Sequence, residues 1–87
     1  MDKTMVRLYR RYTLCIMAIM YPYPDTAILD ASVQTLLMDI GYLIDYNQII
    51  YAILLITNIR DRLEEIDALS DENRKLIELA LEDLVQC

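Results

Sequence analysis

The sequence is short, acidic and apolar: 87 residues carry a formal net charge of −6, and 56% of the side chains are hydrophobic. A single domain over residues 1–87 buries only roughly 60–65% of the surface its unfolded chain exposes, so some of this apolar content is expected to face a partner. One glycine and two prolines leave few hairpin turns, which disfavours an all-β fold, and the acidic excess disfavours nucleic acid as a partner.

From Asp2 to Tyr21, apolar groups recur at three- and four-residue steps (Met5, Leu8, Tyr9, Tyr12, Cys15, Ile16, Ile19, Met20), which predicts a first helix. Lys3, Arg7, Arg10 and Arg11 take up much of its remaining surface, and Leu14, Met17 and Ala18 make its second half nearly all apolar. A basic start followed by an apolar run has the outline of a signal peptide, but no small-x-small cleavage site follows. Pro22 and Pro24 stop the helix instead, because proline lacks the amide donor and pushes the preceding residue out of helical geometry. Asp25 is placed to cap a second helix over 26–40, with Leu29, Val33, Leu36, Leu37 and Ile40 on its stripe and Gly41 as a left-handed stop.

Asp45 with Gln48 three residues on is a capping-box variant that opens a third helix. Ile49 to Ile56 has no polar face for two turns, so a central, fully buried helix is expected there. A short β-branched run also suits a buried strand, but the chain holds no partner strand of like character. After Thr57 the stripe thins to Ile59, Leu63 and Ile66, with Arg60, Asp61, Arg62, Glu64 and Glu65 outward. Ser70 is a good N-cap for a fourth helix bearing Leu76, Ile77, Ala80, Leu81, Leu84 and Val85, and the pairs Asp71–Lys75 and Arg74–Glu78 have helical spacing. Four helices joined by short links predict an all-α fold, a small four-helix antiparallel bundle. The longest uncharged stretch, Tyr46 to Ile59, is 14 residues, short of the ~18–20 needed to cross a bilayer.

The absence of histidine removes the commonest general base and metal ligand, along with Cys/His and Ser/His nucleophile pairs. Cys15 and Cys87 lack the spacing of a thiolate metal site or a disulfide framework, which suits a reducing, cytoplasmic setting. The remaining candidates for chemistry are carboxylates: Asp61, Glu64 and Glu65 on the third helix, and Glu78, Glu82 and Asp83 on the fourth. Their spacing departs from the paired Glu-x-x-Glu and Glu-x-x-Asp motifs of all-α nucleotide pyrophosphatases, and a solvated acidic face is the simpler expectation. No catalytic residue, metal site or cofactor is therefore expected.

The chain has a basic head and an acidic tail: residues 60–87 carry nine carboxylates against four bases. Its seven tyrosines stand with no Phe or Trp, and tyrosine suits interfaces because it buries a ring while keeping a hydroxyl for water or a partner. The expected function is a non-enzymatic protein-binding module, such as an adaptor, a chaperone, an inhibitor or a small subunit, or a homo-oligomer that hides the surplus within itself. Leu14, Met17, Tyr21, Tyr23, Tyr46, Tyr51 and Leu55 are its candidate partner-binding residues. The alternative is a membrane-surface protein anchored by the basic, then apolar, first helix. In length and helix order the chain is similar to small four-helix bacteriocin immunity proteins; no motif is shared, so the likeness is one of topology alone.

Overall fold

The computed structural model describes residues 3–23, 25–41, 43 and 45–86, so the expectations for Asp2, Pro24, Tyr42 and Cys87 lie outside the described residues. Four helices follow one another: α1 (Lys3–Met20), α2 (Thr26–Ile40), α3 (Tyr46–Glu65) and α4 (Asp71–Gln86). Ile49 to Ile56 is helical, which removes the strand alternative.

Side-chain caps start three of the helices where the sequence places them. Asp25 Oδ1 accepts from the Ala27 and Ile28 amides at 2.9 and 3.4 Å, and Asp45 Oδ1 accepts from Asn47 at 2.8 Å. Ser70 Oγ accepts from the Asn73 amide at 3.1 Å. Each of these occupies an amide that the helix leaves without a partner, and each is worth about 1 kcal/mol.

The left-handed stop is not at Gly41. Gly41 is right-handed, at φ −61° and ψ −13°, and its amide bonds back to Asp39 O. Positive φ occurs instead at Asp67, at 56°. There the Asp67 amide donates to Glu64 O at 3.0 Å and the Ala68 amide to Leu63 O at 2.8 Å, the paired bonds of a Schellman ending with aspartate where glycine is usual. The two sites predict one experiment. Gly41→Ala places a methyl 3.7 Å from Met38 O, an ordinary contact, and is expected to raise stability by up to ~1 kcal/mol by reducing unfolded-chain freedom. Asp67→Gly is expected to raise it by a similar amount, about 1 kcal/mol, by relieving left-handed strain. Urea midpoints check both, and a fall for Gly41→Ala would restore the left-handed stop.

The helices form a bundle in which successive elements run antiparallel, but they do not sit around it in chain order. α1 packs against α2 and α3, and α4 packs against α3 and α2, so α1 and α4 occupy opposite corners. Across the α1/α3 side, the Tyr9 and Tyr51 rings meet edge to face with centroids 6.4 Å apart, and the Tyr12 hydroxyl donates to Asn58 Oδ1 at 2.8 Å. Arg74 reaches back across the α3–α4 turn to Glu64 at 2.6 Å, not forward to Glu78 as its helical spacing suggested.

Leu8 and Cys15 from α1, Leu29, Val33 and Leu36 from α2, Ala52, Ile56, Ile59 and Leu63 from α3, and Ile77 and Leu84 from α4 build the core. Four expected stripe members lie outside it: Met20, Ile66, Leu76 and Val85 are exposed. The all-apolar start of α3 is also not central. Four helices arranged around one core leave each of them an outer face, and on α3 that face holds Ile50 and Leu54.

Candidate functional site

The seven candidate partner-binding residues separate into three groups. Tyr46 and Tyr51 are exposed on α3, and Leu14 and Met17 are exposed on α1, followed by Tyr21 and Tyr23 just beyond its end. Leu55 is half-buried and packs against the core. Its neighbour Leu54 is the exposed residue, at 60%. Sequence periodicity misses this because an uninterrupted apolar run gives no polar face from which to phase the helix. The usable signal lies downstream: stepping back from Leu63 through Ile59 leads to Ile56 and Ala52 as the inward positions, which turns Ile50 and Leu54 outward.

On α3 the outward stripe is Tyr46, Ile50 and Leu54, spaced four apart and 71%, 40% and 60% exposed, with Tyr51 beside it. No charged residue occurs from Tyr46 to Ile59. Covering this face would strip water from no ion, the step that most often makes polar surfaces costly to bury.

The outward stripe of α1 has a different character. Lys3, Arg7, Arg10, Leu14 and Met17 follow one another at alternating steps of four and three, basic first and apolar after, and all are exposed. Arg11 is turned toward α2, where its Nε lies 3.2 Å from Asp39 Oδ2, a largely buried carboxylate. Among the described residues, Lys3, Arg7 and Arg10 make no ion pair. Leu14 borders a groove shared with Ala31, Ser32 and Thr35 of α2.

Among the described residues, two polar side chains are buried, Asp39 and Asn73, and periodicity of the apolar residues points to neither. Asn73 Nδ2 donates to Asp30 Oδ1 at 2.7 Å, and Gln34 Nε2 donates to Asn73 Oδ1 at 3.4 Å, tying α4 to α2. A signal for it was present: Asn73 lies four residues before Ile77, on the stripe that continues through Leu84. Asn58 on α3 accepts from both Tyr12 and Arg62, the latter at 3.0 Å.

The candidate acidic residues are dispersed. Glu64 is held by Arg74 and Asp61 by Arg60, at 2.6 and 3.3 Å. Among the described residues, no three acidic or thiol groups lie close enough together to hold a metal ion, and no helix is long and apolar enough to cross a membrane.

Cys15 is a buried free thiol, and its burial pushes the pKa up from 9.0 to about 11 because the thiolate would lose its hydration. It therefore stays protonated and inert at neutral pH. In the unfolded chain the thiol ionises first, so the native state holds the extra proton between pH 9.0 and about 11. The resulting stability is fully present below pH 9.0 and is lost as pH rises through about 11. Cys15→Ala is expected to flatten the alkaline part of the stability profile relative to the parent protein. Urea titrations of both proteins across that range check this, and identical slopes would contradict it.

Comparison of the chain with protein-family models, with curated proteins and with solved structures found no match.

Proposed function

We propose that this chain is a non-enzymatic protein-binding module that acts by laying the outer face of α3 against another protein or a second copy of itself. The observation that carries this reading is the uncharged α3 stripe, Tyr46, Ile50 and Leu54, with Tyr51 at its edge. An amphipathic helix presenting apolar anchors at steps of three and four is a common means of engaging a hydrophobic groove. The tyrosines add ring area with a hydroxyl that stays hydrogen-bonded at the rim. The outer face of α4 suits this role less well, because exposed Glu78 and Glu82 flank its exposed Leu79.

Sedimentation of the protein over a wide concentration range, together with binding of an apolar dye, tests the proposal. Concentration-dependent association or dye binding that is lost in Ile50→Glu/Leu54→Glu, with unfolding unchanged, is the expected result. A strictly monomeric protein that binds no dye, or association that the double substitution leaves intact, would count against the α3 face.

A further inference from the structure

The basic-to-apolar stripe of α1 is a second exposed surface, and its chemistry differs from that of α3. Lys3, Arg7 and Arg10 occupy its first half, Leu14 and Met17 continue the same line, and exposed Tyr21 follows just beyond the helix end. Met20 and Tyr23 add exposed apolar groups at the far end, Tyr23 at 83%. No acidic residue occurs between Lys3 and Tyr23. The bundle places α4, with its exposed Asp71, Glu72, Glu78 and Glu82, at the corner opposite α1. The α4 carboxylates are thus folded away from α1, while on its neighbour α3 Asp61 and Glu64 are paired with Arg60 and Arg74.

We infer that the outer face of α1 is a docking surface for an anionic phospholipid bilayer. The charge arrangement answers the main objection, which is the net charge of −6. The two shorter dimensions of the bundle are 24 and 17 Å, each at least twice the screening length of ~8 Å at physiological ionic strength. A surface touching α1 therefore meets Lys3, Arg7 and Arg10 at close range, while the α4 carboxylates are largely screened. Arg11, engaged by Asp39, is already neutralised and adds little.

The order of residues along the stripe matches the layered chemistry of a bilayer surface. The basic half reaches lipid phosphates, and Leu14, Met17 and Met20 enter the boundary between headgroups and acyl chains. Tyr21 and Tyr23 sit where amphipathic rings are favoured, with the ring inward and the hydroxyl at headgroup level. An acidic helix from another protein would match the basic half alone. The apolar half, ending in two tyrosines that lie beyond the helix, fits an interface in which hydrocarbon lies just beneath phosphate. This inference does not rest on the protein-binding role of α3, because the two surfaces share no residue.

Flotation of the full chain with vesicles tests it. Vesicles of phosphatidylcholine with about a third phosphatidylserine are expected to carry the protein upward at physiological ionic strength, where the α4 carboxylates are screened, and pure phosphatidylcholine vesicles are not. Arg7→Glu/Arg10→Glu is expected to weaken partitioning by about thirtyfold or more, since each reversal removes at least one favourable contact with the surface potential. Leu14→Ser/Met17→Ser, which leaves the charge unchanged, is expected to weaken it as well, which a purely electrostatic contact would not do. All four positions are exposed, so the circular dichroism spectrum is expected to be unchanged. Ile50→Glu/Leu54→Glu is expected to float like the parent protein, which keeps a failure on α3 separate from a failure on α1. The inference is overturned by an absence of flotation with phosphatidylserine vesicles, or by flotation that either α1 variant leaves intact. Binding to poly-glutamate through Arg7 and Arg10 without flotation would assign the stripe to an acidic protein instead and would likewise overturn it.

Discussion

Ile56→Ala is expected to lower the unfolding free energy by roughly 3 kcal/mol, within the range of about 2 to 5 kcal/mol for emptying a fully buried aliphatic site. Ile56 is 1% exposed and belongs to the cluster to which all four helices contribute. Its truncation leaves a cavity that rigid helix backbones fill only in part. A domain of this length is stabilised by roughly 4 to 13 kcal/mol in total, so the loss is a large fraction of the whole. Leu54→Ala, two residues away on the outer face, is expected to change stability by no more than about 0.5 kcal/mol. Urea unfolding followed by circular dichroism measures both. Equal losses would mean that α3 is rotated relative to its described position, and the α3 docking surface would fall with it.

Asn73→Ala is expected to cost about 2 to 3 kcal/mol, more than the usual neutral hydrogen bond because a buried amide and a carboxylate lose each other. The side chain links Asp30 and Gln34 of α2 to α4 while its own backbone amide is capped by Ser70. Truncation leaves Asp30 half-buried without its 2.7 Å donor. Asp30→Leu/Asn73→Leu removes both partners and replaces them with apolar volume, so it is expected to recover most of the loss. A double-mutant cycle on urea midpoints reads the coupling directly. A cost below about 0.5 kcal/mol for Asn73→Ala would mean that the bridge contributes nothing to holding α2 on α4.

Much of the local structure was legible along the chain. Asp25, Asp45 and Ser70 cap α2, α3 and α4 because a short side-chain oxygen before an apolar-periodic run satisfies amides that the helix leaves free, and that rule needs no knowledge of the rest of the molecule. Of the expected α2 stripe, Leu29, Val33, Leu36 and Ile40 are buried and Leu37 is half-buried, because Asp30, Ser32, Gln34 and Thr35 interrupt the run and phase it, with buried Asp39 as the exception. The start of α3 lacks such markers. No polar residue orients the helix there, so periodicity does not separate Leu55 from Leu54, and packing against α1 and α4 decides between them. Gly41 misled for a related reason: glycine permits a left-handed turn but does not require one, and the strained conformation falls on Asp67 instead.

What the sequence by itself determined is the helical class, the caps, the lack of histidine chemistry and the separation of basic and acidic residues toward opposite ends of the chain. These follow from side-chain periodicity and composition, which act over a few residues. The tertiary structure decided where those ends go. α1 could have met α4 and neutralised it, but the bundle order puts them at opposite corners. Arg11 finds its carboxylate on α2, and Lys3, Arg7 and Arg10 remain facing outward. Which apolar residues of α1 and α3 enter the core was settled in the same way. A helix with apolar groups on every side has no local preference for its inward face, so its rotation is set by the neighbours it packs against.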